Sequence, residues 1–112
     1  MPNSLPKTPA NHVPLSPVGF LRKAAEIHPA HTAVVYGGVR RNWAETAARC
    51  RRLASALTGL GLRPGETVAV MATNTPELYE AHFGVPLAGG VLAAMNCRLD
   101  ARTIAYILEH AG

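Results

Sequence analysis

The sequence predicts an α/β fold: a β-hairpin, a parallel βαβ unit and about four helices. Three observations carry that prediction. Two short apolar runs, Thr67 to Ala72 and Val91 to Met95, flank a segment with a clear helix start. A β-rich run, a glycine pair and an alternating run follow one another at residues 32–43. Elsewhere apolar residues recur at helical spacing between capping residues and glycine or proline stops.

The elements follow in order. Residues 1 to about 14 carry four prolines and read as an extended, mobile arm; residues 15–112 read as the folded part. Ser16 before Pro17 is an N-cap and first-turn pattern, Phe20, Leu21, Ala24 and Ile27 repeat with helical period, and Pro29 stops that helix. Thr32 to Tyr36, Gly37-Gly38, then Val39, Arg41 and Trp43 alternating with Arg40 and Asn42 make a hairpin. A long helix runs from about Ala44 to Thr58. Ala47, Cys50, Leu53, Ala54, Leu57 and Leu60 form its apolar stripe, and Gly59 or Gly61 supplies the left-handed residue that ends it.

Arg63-Pro64-Gly65-Glu66 is a turn into Thr67 to Ala72, a strand apolar on both faces and therefore expected inside a covered parallel sheet. The next helix is opened either by Asn74 with Glu77 as a capping-box pair or by Thr75 with Pro76 in the first turn. Leu78, Tyr79, His82 and Phe83 mark its packing side, Ala81, Gly84 and Ala88 allow close approach, and Pro86 tightens its last turn. Val91 to Met95 is the second buried strand, which completes a right-handed βαβ unit. Asp100 caps a last helix with Ile104, Ile107 and Leu108 expected to be buried, and Gly112 stands at its terminating position.

A chain of 112 residues has room for one modest core, and 48% hydrophobic residues suit a globular domain. The net charge of +4 is compatible with anionic ligands without identifying one. Cys50 and Cys97, far apart, make neither a secreted disulfide framework nor a metal pair, which points to reduced thiols and the cytoplasm. The most apolar stretch, Val85 to Met95, is broken by Pro86, Gly89 and Gly90 and falls short of the ~20 residues of a membrane span. The proline-rich start lacks the apolar core of a signal peptide.

Four local patterns, in order, resemble the N-terminal region of the adenylate-forming enzymes, the superfamily of AMP-forming acyl-CoA synthetases. They are Trp43-Ala44-Glu45, Leu60-Gly61-Leu62-Arg63-Pro64-Gly65-Glu66, Asn74-Thr75-Pro76-Glu77, and Ala88-Gly89-Gly90-Val91 followed by Asn96-Cys97-Arg98-Leu99. Residues Glu80 to Pro86, Arg98-Leu99-Asp100 and Val13 to Leu21 further resemble the branch acting on short- and medium-chain or methylthio-propionate-type acids. The likeness spans about residues 12–112. It implies an incomplete N-terminal part of the large domain of such an enzyme, truncated before the phosphate-binding loop. The full-length family joins a carboxylic acid to CoA through an acyl-adenylate, using ATP and Mg²⁺.

The family's catalytic groups are a Ser/Thr/Gly-rich loop containing Lys, an acidic ribose-binding motif and a C-terminal lysine. The lysines here are Lys7 and Lys23, and neither lies in such a loop. No catalytic, cofactor-binding or metal-binding residue is therefore expected in this segment. Gly37-Gly38 and Gly59-Leu60-Gly61 match no phosphate-binding fingerprint. His28 and His31 lack the further ligands of a metal site. His82 reads as a partly buried packing histidine, and Asp100 and Glu77 as helix-start residues. Arg40, Arg41, Arg49, Arg51 and Arg52 read as a solvated helix face without the aromatics of a nucleic-acid site.

Two readings follow. In the first the chain is a structural N-terminal fragment of an acyl-CoA ligase, inactive alone, whose partner is the remainder of the synthetase. In the second it is a small free-standing module that binds a protein partner through an open sheet edge or the arginine face. Whether the chain is itself an enzyme stays open between a ligase family and missing catalytic motifs.

Overall fold

In the computed structural model, residues 16–95 and 98–112 are described; the arm at 1–14 and Cys97 lie outside them. The order is α1 (Pro17–Ile27), β1 (Thr32–Tyr36), β2 (Val39–Asn42), α2 (Trp43–Gly59), β3 (Thr67–Met71), α3 (Pro76–Leu87), β4 (Val91–Met95) and α4 (Ala101–Ala111). The predicted hairpin and parallel βαβ unit are both present. β1 and β2 pair antiparallel with a register irregularity between Thr32 and Val34. β3 and β4 pair in parallel, Thr67 opposite Val91 through Met71 opposite Met95.

Capping chemistry sets the helix limits. Ser16 accepts the Gly19 N–H and Pro17 follows it in the first turn. Asn42 ends the hairpin and begins α2: its side chain accepts from the Glu45 N–H at 2.8 Å while Glu45 accepts from the Asn42 N–H at 2.9 Å. That reciprocal box starts α2 one residue earlier than its apolar stripe suggests and takes Trp43 from the strand. For α3 the cap is Thr75, not Asn74, with Pro76 in the first turn.

α2 ends on a Schellman turn. Leu62 N–H donates to the Leu57 carbonyl and Gly61 N–H to that of Thr58, so Gly61, at φ +99°, is the left-handed residue. α3 ends in the same way: Gly90 N–H donates to Val85, Gly89 N–H donates to Pro86, and Gly89 has φ +86°. The two exits touch. Gly65 N–H donates to the Gly89 carbonyl at 2.8 Å, and Val91 N–H to that of Glu66 at 2.8 Å.

The core lies among α1, α2 and α3. Leu21, Ala47 and Cys50 are buried together, with Ala25, Trp43 and Phe83 packed against them. Ala54, Ala81 and Val85 continue the buried seam between α2 and α3. Gly84 makes that seam narrow, because a Cβ there would stand 2.6 Å from Leu53 Cδ2 and 2.9 Å from Leu53 Cγ.

Several residues expected inside lie outside. Phe20 and Ile27 of α1 are exposed, and Leu60 is 85% exposed because it caps α2 instead of continuing its stripe. Neither β3 nor β4 is covered on both faces: Met71 is 49% and Val91 53% exposed. Ile104 and Ile107 are only half-buried and Leu108 is exposed. The physical reason is the same for strands and helix. Their apolar faces are real, but among the described residues too little packs on them.

Candidate functional site

An open parallel sheet offers a natural crevice beyond the carboxyl ends of its strands. Here that crevice is a cleft of about 470 Å³ lined by Ala72, Thr73, Asn74, Leu78, Ala94, Met95 and Arg98. It can hold a small polar group through hydroxyl, amide and guanidinium donors. Among the described residues that line it there is no carboxylate, histidine or lysine, and so no general acid or base at neutral pH and no anionic metal ligand. A second cleft, about 330 Å³, separates the hairpin from the start of α3 and includes Val34, Tyr36, Pro76 and Tyr79. Burial raises the Tyr79 phenol above its ordinary value, with the Cys50 thiolate charge adding to the rise.

The most buried charged group is one that sequence reasoning passed over. Glu80, on α3, is 5% exposed. Its Oε2 accepts from Arg49 Nε of α2, and its Oε1 lies 3.9 Å from Arg41 Nη1 at the end of β2. The Cys50 thiol donates to the Glu80 carbonyl at 3.7 Å. Glu80 thus joins hairpin, α2 and α3 at one point. The hydrogen bond to Glu80 raises the Arg49 guanidinium, burial opposes it, and the Glu80 charge adds to the rise. Burial pushes the Cys50 thiol up to about 11, aided by Glu80 and opposed by Arg49 and Arg51. A thiol so placed is a packing group, since the reactive thiolate is disfavoured. Pro76, Glu80 and Gly84 recur every four residues and are all buried, a shared face that shows itself only once α3 is packed on α2.

The sequence-nominated groups fall apart from one another. The His28 and His31 rings stack at 4.6 Å between centroids and 10° between planes, a face-to-face arrangement. His82 is exposed, not partly buried; its Nδ1 is 2.9 Å from the Leu78 carbonyl one turn earlier. Tyr79 and Phe83 meet edge to face without it. Asp100 accepts from the Thr103 N–H at 2.7 Å as the α4 cap, which lowers its carboxyl below the usual range. Arg41 and Arg49 leave the solvated face to pair with Glu80, whereas Arg40, Arg51 and Arg52 stay exposed. Among the described residues no three His, Cys, Asp or Glu side chains gather as a metal site.

Residues 21–112 match the AMP-binding enzyme family. The chain belongs to that family. Relatives within it include the peroxisomal acetate/butyrate–CoA ligase AAE7 of Arabidopsis thaliana, 50% identical over 109 residues, 97% of this chain and 19% of that protein. The peroxisomal benzoate–CoA ligase of the same plant is 52% identical over 102 residues, 91% of this chain and 18% of that protein. Among solved structures, the N-terminal subdomain of Klebsiella oxytoca NpsA superimposes with a TM-score of 0.81 at 25% identity, covering 86% of this chain and 25% of that one. Apo MbtA of Mycobacterium smegmatis gives 0.79 at 33% identity, covering 83% of this chain and 18% of that one. The chain therefore corresponds to the N-terminal part of acyl-CoA ligases and spans about a fifth of the length of the curated relatives it matches. Among the described residues, no helix is long and apolar enough to cross a membrane.

Proposed function

We propose that the chain is a structural part of an ATP-dependent acyl-CoA ligase acting on a short- or medium-chain carboxylic acid. Such an enzyme joins the acid to AMP with release of pyrophosphate, and CoA then displaces AMP. The observation that carries this reading is ~50% identity, over nearly the whole chain, to ligases named for acetate, butyrate and benzoate.

The lining of the crevice at the carboxyl ends of β3 and β4 does not fit a Mg²⁺ site. It has one guanidinium and neutral donors, but no carboxylate for a divalent cation. No step of the reaction is assigned to a residue of this chain. Its contribution is to hold a βαβ unit against a three-helix layer, leaving an apolar sheet face for further elements of the synthetase. We further propose a cytoplasmic location, in keeping with two widely spaced cysteines that form no secreted framework.

The test is ATP–pyrophosphate exchange by purified residues 1–112 with acetate, butyrate or benzoate. The expected rate equals that of the chain without acid. Acid-dependent exchange would overturn the scaffold reading.

A further inference from the structure

The cleft between the hairpin and the start of α3 runs along a strand edge. Ala33, Val34, Val35 and Tyr36 of β1 all line it. Successive strand residues point to opposite faces, so a cleft that meets four in a row approaches the strand from its side. Among the described residues β1 pairs with β2 alone, which leaves this edge without a neighbouring strand. Val35 and Tyr36 are exposed along it. Opposite stand Pro76 and Tyr79 of α3, preceded by Asn74 and Thr75. Thr75 serves as the α3 cap, so the Asn74 amide is not needed there. None of the described residues lining the cleft carries a charge at neutral pH, so the lining offers little to a phosphate or an acidic peptide.

We propose that this cleft is the docking site of a segment of the same chain, Pro6-Lys7-Thr8-Pro9. Residues 1–15 precede the described part of the fold and carry four prolines. Pro6 and Pro9 are the one pair among them spaced by three. Three residues make one turn of a polyproline II helix, about 9 Å, which sets both rings on one side. The edge from Ala33 to Tyr36 is on the order of 10 Å long, a matching length. Proline-rich segments in this conformation dock on aromatic-lined grooves, and Tyr36 and Tyr79 supply the rings here. Proline has no N–H and cannot continue a β-ladder, but Lys7 and Thr8 between the prolines can donate to β1 carbonyls. Reach favours the chain's own segment. Val18, in the first turn of α1, shares a small cleft with Leu87 at the end of α3. Ser16 therefore starts near one end of α3 and the groove lies at the other, about 18 Å away for a helix of 12 residues. Extended chain from Pro9 to Ser16 spans about 22 Å, enough to close that distance. Tethering also raises the local concentration far above that of a free peptide. The inference does not depend on the ligase reading.

The test attaches a nitroxide to Thr8→Cys in the whole 112-residue chain carrying Cys97→Ser; Cys50 is enclosed and stays unlabelled. Amide resonances of Val35, Tyr36 and Tyr79 should be lost to paramagnetic broadening, while those of Leu108 to Ala111 at the end of α4 persist. Pro6→Ala combined with Pro9→Ala should restore the lost resonances, and Tyr36→Ala should restore that of Val35. The proline variant alters no residue of the packed core, so it decides the matter even if Tyr36→Ala disturbs the hairpin. Resonances that stay broadened in the proline variant, or broadening that reaches the end of α4 equally, would overturn the proposal. No broadening at Val35, Tyr36 and Tyr79 would do the same. So would equal loss in an isotope-labelled chain without the nitroxide mixed with the spin-labelled one, since the segment would then occupy the groove of a neighbouring molecule.

Discussion

The α1–α2–α3 layer and the β3–β4–α4 side draw on similarly apolar sequence but are packed to very different degrees. Between the helices, Cys50, Val85 and Thr46 are fully enclosed, and Glu80 is buried beneath the partly exposed Arg41 and Arg49. Across the molecule, α4 has no buried residue, Tyr106 is 67% exposed, and the strands keep one face open. Apolar content thus decides which residues can form a core. Whether they do depends on a second surface arriving at packing distance.

The contrast is most easily broken at Gly84. Gly84→Val should cost about 2–3 kcal/mol, because its Cβ would displace Leu53 Cδ2 and Cγ and still stand 3.1 Å from Leu53 Cβ, which a rotamer change does not move, so the α2–α3 seam must open. Leu108→Gln on the exposed side of α4 should change stability by less than about 0.5 kcal/mol. Urea unfolding of both variants measures the two sides directly. Comparable losses would mean that the α4 side is packed as firmly as the helix layer.

Alkali should weaken the enclosed side next. The Cys50 thiol ionises near 9.0 when free and is pushed up to about 11 here. A raised acid pKa gives stability that is complete below the unfolded value and is lost as pH rises through the folded one. Between about pH 9 and 11 roughly 2 kcal/mol should disappear. Tyr79, also raised, contributes in the same direction. The Cys50→Ala variant should show a shallower fall over that window in pH-dependent unfolding; an unchanged slope would remove Cys50 from the account.

The smallest effect is expected at the α4 cap. Asp100 is lowered chiefly by the backbone hydrogen bond from Thr103, so its stabilisation is present at neutral pH and lost as pH falls through the carboxyl's depressed value. Lower protection of the Thr103 amide, relative to its intrinsic exchange at the same pH, in acid, and at neutral pH in Asp100→Ala, should occur without a change in the protection of the α2–α3 amides. Spread of the exchange into α2 and α3 would show that the two sides unfold as one.

Local chemistry explains why most elements were legible before the structure. Caps, prolines and left-handed glycines act over three or four residues, so Ser16, Gly61 and Asp100 could be recognised from their neighbours alone. Even the choice between Asn74 and Thr75 is local, settled by Pro76 in the first turn. Burial is not local. Glu80 resembles any solvent-facing helical glutamate until α3 is rotated against α2 and its arginines. His82, only two positions away, turns outward by the same rotation. Leu108 lies on a true apolar stripe, yet a stripe carries no information about whether anything covers it. The crevice at the strand ends was hidden for a related reason: its lining comes from two strand exits far apart in sequence.

The touching helix exits have a consequence for how the parallel pair is aligned. Strands made of Thr-Val-Ala-Val-Met and Val-Leu-Ala-Ala-Met have little polar alternation, so a slip by one residue exchanges one apolar face for another at little cost. The contacts of Gly65 with Gly89 and of Glu66 with Val91 form at the entry to both strands. They act as an end stop: once the two turns engage, only one alignment of the following residues remains, and alignment need not wait for a covering layer.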